Sequence, residues 1–471
     1  MTRWWTINLL VGAALLLGAA TARAATPPNF LIIIADDMAW NDSGAYGHPH
    51  IRTPNIDRLA KSGMRFDNAY LTCSSCSPSR CSINTGRYPH STGAPELHLP
   101  MPGDQVLFAS VLRKLGYHTA ATGKWHMGPA VKSQYDVVLE STAHITPTNA
   151  GCYAHWLEVL QNRPKDKPFY IYLASTDPHR PYSPGAIAQP HTPADVVVPP
   201  YLPDIPEVRT DLALYYDAIA RLDEHVGEVL DELDRQKLTD NTVVLFLSDN
   251  GRPFPRCKTT VYEDGDRTPF IVRWPAVVKP GSVNTNLVSS VDIASTFVDL
   301  AGGKPPGSFQ GVSFAPMLRD TSVKVRSEVF AEHNWHDYEA RKRSIRTERY
   351  LYIRNDDPGK TLSPPADAVK SMTFQAMIKL HDAGKLPPEQ SDCFTQPRPA
   401  EELYDVVKDR FQMVNIAADP AQATTLAELR QSLDKWQQET ADVKPATLRP
   451  DEYDRRTGDR LPDAARKKKK S

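Results

Sequence analysis

Cysteine, proline and arginine stand at alternate positions in Cys76-Ser77-Pro78-Ser79-Arg80, and Thr85-Gly86-Arg87 follows one or two helical turns later. Pro78 suits the first position of a helix, where no N–H is missed, and Ser77 suits the cap before it. Cys76 then sits at the positive end of a short helix, where backbone N–H groups attract anions. Arg80 and Arg87 add two fixed positive charges nearby. A nucleophile in an anion-attracting pocket points to chemistry on a sulfate or phosphate group.

Two apolar runs end in oxygen ligands. Asn29 to Ala35 reads as a strand buried on both faces and runs into Asp36-Asp37; Thr242 to Leu247 reads the same way and runs into Ser248-Asp249-Asn250-Gly251. Open α/β sheets place ligands just past the C-terminal ends of such strands. Side by side, Asp36, Asp37, Asp249 and Asn250 make an all-oxygen cation site. That chemistry suits Ca²⁺ or Mg²⁺ rather than zinc, and a shell this rich in protein oxygens favours Ca²⁺. Two further strand ends carry basic chemistry. Tyr117 to Thr122 runs into Gly123-Lys124-Trp125-His126, and Phe169 to Ala174 into Asp177-Pro178-His179-Arg180. Lysine can hold an anionic oxygen, and histidine can move a proton near neutral pH. Arg252 to Lys258 is a basic, Pro-rich loop.

The segment Cys-x-Pro-x-Arg, with Thr85-Gly86-Arg87 in step and the acidic strand ends in the same order, resembles the type I, formylglycine-dependent sulfatases. The resemblance runs from about Asn29 to Ala417. It implies an α/β fold of the alkaline-phosphatase-like kind: a large mixed, mostly parallel sheet flanked by helices, with a small C-terminal antiparallel sheet and a packed helix. It also implies that a formylglycine-generating enzyme oxidises Cys76, and that Cys76 joins Asp36, Asp37, Asp249 and Asn250 around one metal. Carried over in the same way, Arg80 holds the hydrated aldehyde, Lys124 binds sulfate oxygens, His179 with Lys258 protonates the leaving atom, and His126 is the base that releases sulfate. Asp42-Ser43-Gly44-Ala45-Tyr46, Asp177-Pro178-His179-Arg180 and Pro253-Phe254-Pro255 look particularly like the heparan N-sulfatase branch. Lys258 stands where that branch has arginine, Pro181 where it has cysteine, and Glu96-Leu97-His98 differs from its substrate loop. An N-sulfated glucosamine is therefore the leading substrate, with an O-sulfated sugar or glycosaminoglycan fragment as the alternative. A phosphoesterase of the wider superfamily fits less well, because ligands for only one metal are found. A pure binding module has no use for a convertible nucleophile.

These residues need a rigid frame, and the chain is long enough to supply one. Its 471 residues carry a net charge of −1, which gives no general attraction to nucleic acid. Residues 1–24 read as a signal peptide, with Arg3, an apolar run from Leu9 to Ala20 and an Ala22-Arg23-Ala24 cleavage site. Export to a periplasmic, secreted or lysosome-like compartment follows, with no membrane span after cleavage. Residues 25–324 read as the catalytic domain, 325–450 as a smaller α+β unit and 451–471 as a basic, flexible tail. In the smaller unit, Val329–Glu332, Ser344–Thr347 and Tyr350–Ile353 read as strands, and Leu426, Leu429, Leu433 and Trp436 form one helical face. Six cysteines are compatible with disulfides in an oxidising compartment, without an assignable pairing. The chain leaves room for an oligomer.

Overall fold

The computed structural model describes residues 27–141, 151–185 and 187–462. The leader expected at 1–24 and the Lys467–Lys470 run lie outside them. Eight strands form the large sheet: β1 (Asn29–Ala35), β2 (Met64–Tyr70), β3 (His118–Gly123), β4 (Val137–Glu140), β5 (Phe169–Ala174), β6 (Thr242–Ser248), β7 (Phe270–Arg273) and β8 (Ser282–Ser289). Their order is β4-β3-β5-β1-β6-β7-β2-β8. All neighbours run parallel except β7, which is antiparallel to both β6 and β2. The large mixed, mostly parallel sheet expected from the sequence is present.

β1 is apolar throughout because it is covered on both faces. Phe30, Ile32 and Ile34 pack into one core and Leu31, Ile33 and Ala35 into the other. The first core is closed by α2 (Cys76–Thr85), α3 (Phe108–Lys114) and α6 (Asp292–Leu300). The second is closed by α1 (Pro54–Ser62), α4 (Trp156–Gln161), α5 (Pro206–Arg235) and α7 (Met372–Asp382). Each fully buried Ile or Leu contributes about 1.5–3 kcal/mol. The sheet is thus a stiff base for whatever stands at its edge.

Register decides what stands there. Ala35 pairs with Ser248, Ile34 with Ala174, and Gly123 with Ala174. Four neighbouring strands therefore end level, and their next residues are Lys124, Ser175, Asp36 and Asp249.

The chain then builds a second sheet of β9 (Glu328–His333), β10 (Lys342–Thr347), β11 (Tyr350–Asn355) and β12 (Glu401–Asp405), fully antiparallel in the order β12-β11-β10-β9. On it lies α8 (Ala423–Thr440), whose Leu426, Leu429, Leu433 and Trp436 pack on Phe330, Ile345, Tyr352 and Leu403. β4, β8 and α7 were not expected from the sequence pattern. All six cysteines are buried and free of disulfides.

Candidate active site

α2 begins at Cys76, with Ser75 in extended backbone before it. This corrects the expected start: Pro78 is the third helical residue, and Ser77 lies inside the helix. Proline is tolerated there because the first N–H groups of a helix have no intrahelical partner. Ser77 Oγ accepts from the His98 N–H at 2.9 Å, and Ser75 Oγ bonds His336 Nδ1 at 2.7 Å. The helix ends at Gly86, in the left-handed conformation. Arg87 lies beyond the far end of this 10-residue helix, whose length is roughly 15 Å. It donates to Gln105 Oε1 at 2.8 Å, so it does not join the cluster around Cys76 as expected.

The acids do converge. The Asp37 N–H donates to Asp249 Oδ1 at 3.2 Å, and Asn250 Nδ2 donates to Asp37 Oδ1 at 2.5 Å. Cys76 Sγ lies 3.9 Å from Asp37 Oδ1. Ligand atoms of Asp36, Cys76 and Asp249 lie within 4.8 Å of one another, as do those of Asp37, Cys76 and His179. Four cationic or protonatable side chains face them. Arg80 Nε and Nη2 donate to Asp249 Oδ2 at 2.8 and 2.7 Å. Lys124 Nζ pairs with Asp36, and Lys258 Nζ donates to Asp37 Oδ2 at 2.8 Å. His179 Nε2 lies 3.9 Å from Asp37 Oδ2, while its Nδ1 bonds the Arg180 carbonyl.

Burial opposes ionisation of Asp36, but Lys124, His179, Arg80 and Lys258 together hold its carboxyl well below the usual range. Burial pushes Asp249 up to about 6 against the pull of Arg80, with Asp36 and Asp37 adding repulsion. The Cys76 thiol is pushed far up by burial, although Lys124 and Lys258 pull the other way. His126 is driven well below its ordinary value by burial, then by Lys124 and His98. It is a neutral imidazole whose Nε2 meets His98 Nδ1 at 2.7 Å.

Gly123 explains how Lys124 and His126 reach this cluster. Its φ is +87°, and a Cβ there would lie 1.8 Å from the Ala174 carbonyl oxygen. Only glycine lets β3 turn so tightly against β5.

A cavity of about 450 Å³ opens over the cluster, lined by Cys76, Lys124, His126, His179 and Lys258. Its other wall includes His98, His336, Asp337 and Asp367. Asp367 Oδ2 lies 3.6 Å from His179 Nε2. The structure thus brings together the site residues expected from the sequence, with Arg87 the exception. His336, Asp337 and Asp367 are additions. His336-Asp337 follows β9 as the other site residues follow their strands, and that signal was there to be read; Asp367 had none.

Asp36 Oδ1 and Asn250 Oδ1 are buried without a hydrogen-bond partner. Unpartnered carboxylate and amide oxygens beside Asp37 and Asp249 are the donor set of a hard divalent cation. The residues therefore fit such an ion.

The chain belongs to the sulfatase family, whose model matches residues 28–303. A second model, N-sulphoglucosamine sulphohydrolase, C-terminal, matches residues 256–358. The chain is 32% identical to human N-sulphoglucosamine sulphohydrolase over 472 residues, covering 91% of this chain and 93% of the relative. It is 31% identical to an ulvan-active sulfatase of Formosa agariphila, covering 87% of this chain and 74% of the relative. Among solved structures, one in complex with its substrate D-glucosamine-2-N,6-O-disulfate shares the fold, with a TM-score of 0.67 at 22% identity over 89% of this chain and 99% of the other. The chain is accordingly a sulfuric ester hydrolase of alkaline-phosphatase-like fold. No helix among the described residues is long and apolar enough to cross a membrane.

Proposed function

We propose that this chain removes sulfate from an N-sulfated glucosamine of the heparan type, with Cys76 oxidised to formylglycine as its nucleophile. The observation that carries this reading is the meeting of Cys76, Arg80, Lys124 and His126 with the acids Asp36, Asp37 and Asp249 at level strand ends. A buried thiol held in its protonated form is a poor nucleophile. Formylglycine supplies instead a hydrated aldehyde, with one hydroxyl for attack at sulfur and a second whose deprotonation expels sulfate. Cys76 Sγ marks the place of those oxygens. Cys76 is 2% exposed, so the oxidising enzyme must meet the chain before it folds.

Asp36, Asp37, Asp249 and Asn250 would hold one divalent cation, Ca²⁺ by their number, which supplies Lewis acidity toward sulfate oxygens. Arg80 locks the Asp249 carboxylate and, through Nη1 to the Lys124 carbonyl at 3.0 Å, the start of the Lys124 loop. Lys124 puts an ammonium beside the nucleophile, where it can bind a sulfate oxygen. His126, neutral and lining the cavity, takes the proton that releases sulfate. His179, anchored through Nδ1, presents Nε2 to the leaving atom, with Lys258 beside it. A leader at 1–24 would export the enzyme to meet its glycan.

Support for the N-sulfated sugar comes from the N-sulphoglucosamine sulphohydrolase relative and from the substrate bound by the fold neighbour. Lys258, where that branch has arginine, favours a second reading as an O-sulfatase, and the ulvan-active relative is in keeping with it. Sulfate release should be measured on N-sulfoglucosamine and on glucosamine 6-O-sulfate in parallel. Release from the N-sulfated sugar is expected; release from the O-sulfated sugar alone overturns the substrate but not the sulfatase.

A further inference from the structure

Sulfate needs only part of the cavity over Cys76. Its volume of about 450 Å³ is room for a sugar-sized ligand. Lys124, His126, His179 and Lys258 serve the sulfate end. The remaining lining takes no part in the steps described above. It includes the carboxylates of Asp337 and Asp367, the apolar Leu97 and Ala366, and Tyr453. Among the described residues that line the cavity, Tyr453 alone carries a six-membered aromatic ring.

Tyr453 is brought there by the chain beyond α8, which folds back beside the site as a hairpin. Tyr453 and Arg460 face each other in an antiparallel bridge, and the Leu461 N–H donates to the Glu452 carbonyl at 2.9 Å. Three contacts brace this hairpin. The Glu452 N–H donates to the Asp337 carbonyl at 2.8 Å, Trp335 Nε1 donates to the Pro450 carbonyl at 2.9 Å, and Lys370 Nζ pairs with Asp459 at 3.3 Å. Gly458 has a φ of +71°, and a Cβ there would lie 2.9 Å from the Ala366 carbonyl oxygen. Glycine thus lets the hairpin lie against the turn that carries Asp367. The Tyr453 ring packs partly on the core beneath α7 and stays partly exposed. A ring on so braced a backbone loses little freedom when a ligand lands on it.

We propose that Tyr453 is the platform for the sugar: the pyranose that carries the sulfate lays its C–H face on the phenol ring while Lys124 holds the sulfate. An aromatic face is electron-rich and the C–H bonds of a pyranose are weakly positive, so the two attract beyond the area they bury. Asp337 and Asp367 give the same lining acceptors for the hydroxyl rim of that ring. Inorganic sulfate is too small to use any of these groups while bound at Lys124. The inference rests on the sulfated-sugar reading above, but not on whether nitrogen or oxygen bears the sulfate.

Calorimetry on the full chain separates the two halves of the cavity, with Cys76→Ala in every protein so that ligands bind without being cleaved. The ligands are N-sulfoglucosamine, glucosamine 6-O-sulfate and inorganic sulfate. Tyr453→Ala and Tyr453→Leu should each weaken the sugar that binds by about tenfold or more, and Tyr453→Phe should stay within about threefold. Affinity for inorganic sulfate should not move in any of them. With formylglycine at Cys76, the Ala and Leu variants should raise KM and leave kcat nearly unchanged. Tyr453→Leu keeps the apolar bulk without the aromatic face, so wild-type sugar affinity in that variant would overturn the platform. Equal losses for sugar and for inorganic sulfate would mark a merely structural role and overturn it as well. Binding of inorganic sulfate with neither sugar bound would overturn the sugar reading, and the platform with it.

Discussion

Arg80 has no exposed surface and gives two nitrogens to Asp249, with a third contact to Asp36 at 3.7 Å. Removing it leaves Asp249 buried beside two other acids. Arg80→Ala should therefore destabilise the fold by about 3–5 kcal/mol as well as abolish turnover. Thermal melting checks the first effect, and a stable but inactive variant would contradict it. Asp36, Asp37, Lys124, His126, His179, Asp249 and Asn250 were legible because each follows an apolar strand, and a parallel sheet brings successive strand ends to one edge; Cys76 and Arg80 were legible from their own spaced segment. Asp367 was not legible, because it sits on a one-turn helix, Ala366–Val369, in the long connection between β11 and β12, where sequence shows neither period nor motif. Arg87 failed for a plainer reason: proximity in sequence was read as proximity in space, and a full helix separates it from Cys76.

The turn after β3 shows what an element does for the site. Gly123→Ala would force a Cβ into the Ala174 carbonyl and adopt a φ that L residues rarely take. A cost on the order of 1–3 kcal/mol is expected. The larger effect should fall on kcat, since Lys124 and His126 both ride on that turn. Steady-state kinetics beside a melting curve check this, and unchanged kcat with lowered stability would refute the positioning role. β1, β5 and β6 were readable because they are covered on both faces and run apolar without a break. β8, Ser-Val-Asn-Thr-Asn-Leu-Val-Ser, is an edge strand with too many polar residues to announce itself. β4, only four residues long and partly exposed, is the opposite edge. The start of α2 was misplaced because proline's preference for the first helical position is only statistical, and the next two positions also need no N–H.

The two sheets act as one body, and His90 is one of the ties. It follows α2, pairs with Glu332 on β9 at 2.6 Å, and reaches the Thr440 carbonyl at the end of α8 at 3.2 Å. Burial would lower its pKa, but the Glu332 charge wins and the value lies above 6.5. The stabilisation is therefore complete below 6.5 and fades as pH rises through the higher folded value. Melting temperatures of wild type and His90→Gln, compared from about pH 6 to about pH 9, should converge toward the alkaline end. A gap that stays constant would contradict the ion pair. The same union of sheets closes the cavity over Cys76, whose outer wall of His336, Asp337 and Asp367 comes from the second half of the chain. The measurement that tests the central claim most directly is sulfate release from N-sulfoglucosamine by protein whose Cys76 peptide has been weighed. Turnover should rise in proportion to the fraction carrying formylglycine and vanish in Cys76→Ala while sugar binding persists. Equal turnover from unconverted protein, or from Cys76→Ala, would contradict the account.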